Sequence, residues 1–163
     1  MKLVLILFVF LMPYQQTGQK LTTVILIRHA EKLANGSKNS ELSEAGKKRA
    51  LLFADIMAKT KVDAVYSTDF KRTENTVVPL AKAQNLSVLK YEGGNLKEID
   101  DLLSKWKGGT IVICGHSNTT PSIVNHLTGN KDEYKSFEDI DYGNLIIVTL
   151  ADKGAAKIIW LRY

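Results

Sequence analysis

The stretch Thr23-Val24-Ile25-Leu26-Ile27-Arg28-His29-Ala30-Glu31 constrains this chain more than any other. Four consecutive β-branched or aliphatic residues, Val24 to Ile27, predict a short strand buried on both faces. The run stops abruptly at a cation, an imidazole, a small residue and a carboxylate. In an open α/β sheet, ligands bind in the crevice outside the carboxyl ends of the strands, so Arg28 and His29 are expected at the mouth of such a crevice. A fixed guanidinium beside an imidazole suits a doubly charged oxyanion such as phosphate, and the imidazole can also attack it. The alternative is a strand end whose polar residues merely meet water, and the rest of the chain has to decide between the two.

Strand and helix signals alternate after that point. A polar stretch from Lys32 to Glu41, with Asn35-Gly36-Ser37 as turn residues, reads as a loop. Ser43 is placed to cap a helix carrying Ala50, Phe53, Ala54 and Met57 at helical spacing. Val62 to Tyr66 reads as a second strand ending at Ser67-Thr68-Asp69. A helix is expected from about Phe70 to Gln84, kinked or interrupted at Pro79. Leu86 to Tyr91 alternates like a strand nearer an edge and is followed by a helix around Leu96 to Trp106. Thr110 to Cys114 is again fully apolar and ends at Gly115-His116-Ser117, before a helix with Pro121 in its first turn. Leu145 to Leu150 and Ala156 to Leu161 flank Asp152-Lys153-Gly154, a hairpin turn. The expected fold is therefore α/β: a three-layer α/β/α sandwich with a mainly parallel central sheet and a C-terminal hairpin.

Parallel strands carry their C-terminal ends to one edge. The first ends in Arg28-His29, the second is followed by Ser67 and then by Arg72 at a helix start, and the fourth ends in His116. Two arginines and two histidines can thus converge beside helix N-termini, whose oriented N–H groups favour phosphate. Individually each has a plain reading: His116 as a satisfied structural histidine, Arg72 as a surface helix residue, Glu31 as a group orienting its neighbours, His126 as surface or core.

These residues carry a family resemblance. Leu26-Ile27-Arg28-His29-Ala30-Glu31, Leu42-Ser43-Glu44-Ala45-Gly46 with Arg49-Ala50, Tyr66-Ser67-Thr68-Asp69 through Arg72-Thr73 and Thr76, and Val112 to His116 resemble, in order, the motifs of the histidine phosphatase superfamily. That superfamily includes cofactor-dependent phosphoglycerate mutases and phosphohistidine phosphatases. The resemblance implies that His29 is the nucleophile that becomes phosphorylated and that Arg28, Arg72 and His116 form the phosphate pocket. Asn35 falls where many members have a phosphate-contacting asparagine. Many members also supply an acid after the third strand; Glu92 is the preferred candidate here, ahead of Glu98 and Asp100. The implied function is a phosphohydrolase acting through phosphohistidine on a small phosphoester, a phosphoramidate or a phosphoprotein side chain, with no metal and no cofactor. A phosphate- or phosphoester-binding protein of the same fold without efficient turnover is the alternative. A mutase is disfavoured, because the long insertions that build its sugar-phosphate pocket have no counterpart.

Composition bears on compartment and partners. Met1-Lys2, the apolar run Leu3 to Met12, Pro13 and the polar stretch to Gln19 read as a secretory signal peptide over residues 1–19, and 20–163 as one domain. The apolar run is too short to cross a bilayer as a helix, so no membrane association is expected after cleavage and the protein is expected to be exported. Removing that segment leaves 21 lysines and arginines against 17 acids. The lysines are scattered, with no basic and aromatic run, so no nucleic-acid surface is indicated. The single cysteine, Cys114, rules out an intrachain disulfide. No cluster with metal-ligand spacing appears, and oligomeric state leaves no mark on the sequence.

Overall fold

The computed structural model describes residues 19–163, so the segment read as a signal peptide lies, but for Gln19, outside the described residues. The chain alternates strand and helix from the start: β1 (Thr22–Arg28), α1 (Glu44–Ile56), β2 (Ala64–Ser67), α2 (Lys71–Ala83), β3 (Val88–Lys90), α3 (Leu96–Lys105), β4 (Thr110–Gly115) and α4 (Thr119–Thr128). A hairpin of β5 (Asn144–Asp152) and β6 (Ala155–Arg162) closes the described chain. The six strands form one sheet in the order β3-β2-β4-β1-β5-β6. The pairs β2·β3, β2·β4 and β1·β4 are parallel, while β1·β5 and β5·β6 are antiparallel.

This order follows from crossover handedness. The chain moves outward from β1 to β2 and β3, then returns to insert β4 between β2 and β1. A right-handed crossover puts its helix on one face when moving outward and on the other when moving back. Accordingly Phe53 of α1, Met57 just after it, and Val77 and Leu80 of α2 pack on Ile25, Ile27, Val112 and Cys114. Ile99 and Leu102 of α3 and Ile123 and Leu127 of α4 pack on Val24, Leu26, Ile111, Ile113 and Ile146. Alternate residues of β1 thus enter two different cores. That is the physical meaning of its unbroken apolar run.

Local signals mostly act as expected. The Ser43 Oγ accepts the Gly46 N–H at 3.2 Å and caps α1. Gly129 ends α4 in the left-handed conformation, at φ +74°, where a residue without Cβ carries no penalty. Pro79, however, does not interrupt α2, which runs continuously from Lys71 to Ala83. Tertiary packing of the helix against α1 and the sheet outweighs the one backbone bond the proline cannot donate. The third strand is also shorter than the alternation from Leu86 to Tyr91 suggests, because it pairs on one side only and ends at Lys90.

Candidate active site

The parallel register sets the geometry of the site. Arg28 lies opposite Gly115 and Ser67 opposite Cys114, so β1, β2 and β4 end at nearly one level. The His29 N–H donates to the Gly115 carbonyl at 2.9 Å, which ties the histidine to the next strand. The Ala30 N–H donates to Thr76 Oγ1 at 2.9 Å, and that hydroxyl donates to the Arg72 carbonyl at 2.7 Å. The turn after β1 is thereby pinned to the first half of α2. Close packing from α1 completes it: a Cβ on Gly46 would stand 2.1 Å from the Glu31 carbonyl oxygen, so only glycine fits there.

His29 is buried, with 4% of its surface exposed. Its Nδ1 lies 2.8 Å from the Ala30 carbonyl oxygen. A carbonyl only accepts, so Nδ1 carries the ring proton and Nε2 keeps its lone pair. Burial lowers the imidazole pKa to about 3, with Arg72, Arg28 and His116 adding in the same direction and the Ala30 bond opposing. The ring is therefore neutral at ordinary pH, its unprotonated nitrogen fixed by backbone geometry.

The two arginines share one donor pattern. Arg28 Nη1 donates to the Glu138 and Asp141 carbonyls at 2.7 and 3.2 Å. Arg72 Nη1 donates to the Lys38 carbonyl at 2.9 Å. The Nε of each is buried without a hydrogen-bond partner. A buried N–H left unpaired costs about 1–3 kcal/mol, and here two charged ones coincide. Burial and then Arg28 push the Arg72 pKa below its ordinary value, which reports two cations held close together. A tetrahedral oxyanion accepting from both Nε–Nη2 edges removes both penalties at once.

His116 stands beside His29, ring centroids 5.5 Å apart. Burial, then Arg72 and Arg28, lower its pKa to about 4. Its Nε2 meets Thr68 Oγ1 at 3.0 Å, and that hydroxyl meets Thr73 Oγ1 at 2.9 Å. Phe70 presents its ring to both cationic and imidazole partners, 4.3 Å from the Arg72 guanidinium and 5.2 Å from the His116 ring. Beside these groups lies a crevice of about 710 Å³, walled by Arg72, His116, Phe70, Glu92, Gly93 and Asn118. It opens toward solvent on the β3 side.

The structure thus brings Arg28, His29, Arg72 and His116 together, and sets Glu92 on the crevice wall, exposed. The Glu92 N–H donates to Glu98 Oε2 at 2.8 Å, so the second acidic candidate buttresses the first. Asp100 lies elsewhere, paired with His126 at 2.8 Å and Lys153 at 3.0 Å. Asn35 is not on the crevice wall. Its Oδ1 accepts the Ser37 N–H at 3.1 Å and the Ser40 hydroxyl at 2.9 Å, which shapes the loop whose Lys38 carbonyl holds Arg72. Glu31 takes a forked contact from Arg49, with oxygens 2.7–3.1 Å from Nε and Nη2, and its role here is to fix the turn. Sequence patterns point to neither Tyr142 nor the Glu138 and Asp141 carbonyls, and Thr68 enters only as part of the Tyr66-Ser67-Thr68-Asp69 motif, with no role of its own. Among the described residues no group of three or more histidine, cysteine or acidic side chains could hold a metal ion.

Fold and pocket together define an α/β protein able to take a tetrahedral oxyanion at the C-terminal edge of its parallel strands. Residues 24–100 match the histidine phosphatase superfamily (branch 1). The chain is 38% identical over 91 residues to phosphoserine phosphatase 1 of Hydrogenobacter thermophilus, a match covering 52% of this chain and 41% of that protein. It is 36% identical over 70 residues to a metal-independent phosphoserine phosphatase of Arabidopsis thaliana, covering 39% and 29%. Each match thus spans less than half the length of the relative. The structure of the protein histidine phosphatase SixA complexed with tungstate superposes with a TM-score of 0.70 at 17% identity, over 86% of this chain and 96% of that one. Over residues 24–100, just under half of the chain, the sequence is thus similar to the histidine phosphatase superfamily, and the fold is similar to that of the solved phosphatase over most of the chain.

Proposed function

We propose that this protein is a phosphatase, transferring a phosphoryl group from a phosphoester or phosphoramidate to Nε2 of His29 and then to water. The observation that carries this reading is a neutral His29, its Nδ1 proton engaged by Ala30, beside two arginines whose buried Nε groups lack partners. In the first step the Nε2 lone pair forms the P–N bond as the bond from phosphorus to the leaving oxygen or nitrogen breaks. The leaving atom takes a proton, for which Glu92 on the crevice wall is the donor. In the second step water attacks phosphorus and gives its proton to the Glu92 carboxylate, the P–N bond breaks with its electron pair returning to Nε2, and inorganic phosphate leaves. Arg28, Arg72 and His116 offset the charge on the transferring group throughout.

No metal enters this scheme, a reading supported by the donor set itself and by the metal-independent relative. The crevice is wide and open on one side, which suits a small phosphorylated molecule or a phosphorylated side chain. Similarity to proteins named as phosphoserine phosphatases and as a protein histidine phosphatase supports both classes. The signal-like Met1 to Gln19 supports export.

The test is hydrolysis of an aryl phosphate by wild type and His29→Ala in the presence of EDTA, with a rapid alkaline, denaturing quench to trap phosphoenzyme. Wild type turns over and forms an acid-labile, base-stable phosphoenzyme, and the variant loses at least about 10³-fold in rate. Equal rates overturn the assignment. A second reading, oxyanion binding without efficient turnover, is favoured by the exposure of Glu92; phosphate binding without any phosphoenzyme would establish it.

A further inference from the structure

Arg28 is held in a way its strand does not explain. The strand delivers its Cα, but the guanidinium is fixed by the segment before β5. The Glu138 and Asp141 carbonyls take both protons of Nη1, and the Tyr142 ring lies over the guanidinium plane, 4.3 Å from Cζ to the ring centroid. The same ring stands 5.9 Å from the His29 ring, tilted by 54°. A ring stacked on a guanidinium attracts the cation without consuming any of its in-plane N–H groups. The carbonyls occupy one edge, the ring covers one face, and the Nε–Nη2 edge is what remains for an anion.

The other arginine has a counterpart. The Phe70 ring lies 4.3 Å from the Arg72 Cζ, on the wall of the open crevice. Tyr142 does not line that crevice. The two aromatic residues therefore flank the site differently: Phe70 lines the crevice, where a leaving group can extend, and Tyr142 stands off it, against Arg28 and His29.

We propose that Tyr142 is a positioning residue of this pocket: stacked on Arg28 beside His29, it holds the Nε–Nη2 edge of Arg28 for a tetrahedral oxyanion. This rests on the phosphoryl-pocket reading above. Because the ring rather than the hydroxyl does the holding, phenylalanine substitutes for tyrosine and an aliphatic residue does not.

The test measures orthovanadate affinity by calorimetry, which needs no turnover, for wild type, Tyr142→Leu, Tyr142→Phe, Arg28→Lys and the double variant Arg28→Lys/Tyr142→Leu. Tyr142→Leu weakens binding about tenfold, Tyr142→Phe recovers most of that loss, and Tyr142→Leu adds less than about twofold when Arg28 is already lysine. Equal losses on both backgrounds, or a Tyr142→Leu affinity within about twofold of wild type, overturn the proposal. Should Tyr142→Leu fail to fold, Tyr142→Met, also aliphatic in bulk and without a π-face, is read in its place. A wild type indifferent to millimolar orthovanadate overturns the pocket and this inference together. Tight binding without a phosphoenzyme overturns only the turnover reading and leaves Tyr142 to the affinities.

Discussion

The Nδ1 of His29 and the carbonyl oxygen of Ala30, its own neighbour in sequence, lie 2.8 Å apart. That contact assigns the tautomer with no help from a carboxylate. The proton state of His29 is thus set by backbone geometry and by burial.

The first prediction concerns pH. His29 and His116 titrate near 3 and 4 in the folded protein, against about 6.5 in an unfolded chain. The acid limb of kcat/KM, which reports the free enzyme, is expected below about pH 5 once the substrate's own ionisation is titrated separately. A limb centred near the ordinary imidazole value contradicts the site. Stability follows the same shifts. Below about pH 6.5 the unfolded chain binds more protons than the folded one, so stability falls as acid is added and is level above that point. Urea unfolding from neutral pH down to about pH 4.5 measures it, and His29→Gln removes part of the slope.

Thr68 is expected to matter through His116. Thr68→Val keeps shape and removes the hydroxyl bonded to Nε2. A net hydrogen bond of about 1 kcal/mol corresponds to a five- to tenfold fall in kcat, with KM moved less, and Thr68→Ser restores it. Steady-state kinetics on an aryl phosphate decide; a change confined to KM assigns Thr68 to substrate binding instead.

Glu92 is tested by leaving-group dependence. An aryl oxide leaves without help, whereas an alkoxide needs a proton. Glu92→Gln is expected to slow alkyl phosphates by about 10²-fold or more and aryl phosphates far less. A uniform effect removes Glu92 from the role of acid.

The Glu31–Arg49 fork is partly shielded, each side chain 23% exposed. Arg49→Leu leaves the Glu31 carboxylate without its main partner, and a cost of about 1–3 kcal/mol in unfolding free energy is expected. Chemical denaturation reads it, and acid shifts the comparison. Arg49 holds the Glu31 carboxyl below its usual range, so the contribution is present at neutral pH and is lost as pH falls through that lowered value.

Much of this was legible locally. A run such as Val24 to Ile27 can only be a two-sided buried strand, and parallel topology then brings Arg28, Arg72 and His116 to one edge whatever the details. Loop-borne parts were hidden for a physical reason. Backbone carbonyls such as those of Glu138 and Asp141 have no sequence signature, since every residue carries one, and Tyr142 sits in a polar stretch without periodicity. Asn35 illustrates the converse. Its position in the motif order marks it as a candidate ligand, whereas nothing in the sequence announces that its side-chain oxygen accepts from Ser37 and Ser40 and so shapes the loop that holds Arg72. Pro79 misled because intrinsic propensity is a weaker force than the packing of a whole helix.

The convergence of β1, β2 and β4 has one more consequence. Arg28, Arg72 and His116 are far apart along the chain, so an unfolded molecule holds no fragment of the pocket that could retain an anion. Any oxyanion bound there stabilises only the native state, and does so in proportion to the logarithm of its concentration relative to Kd once the site is nearly full. The melting temperature of the protein is thereby a meter of free phosphate or vanadate, readable without substrate, turnover or label.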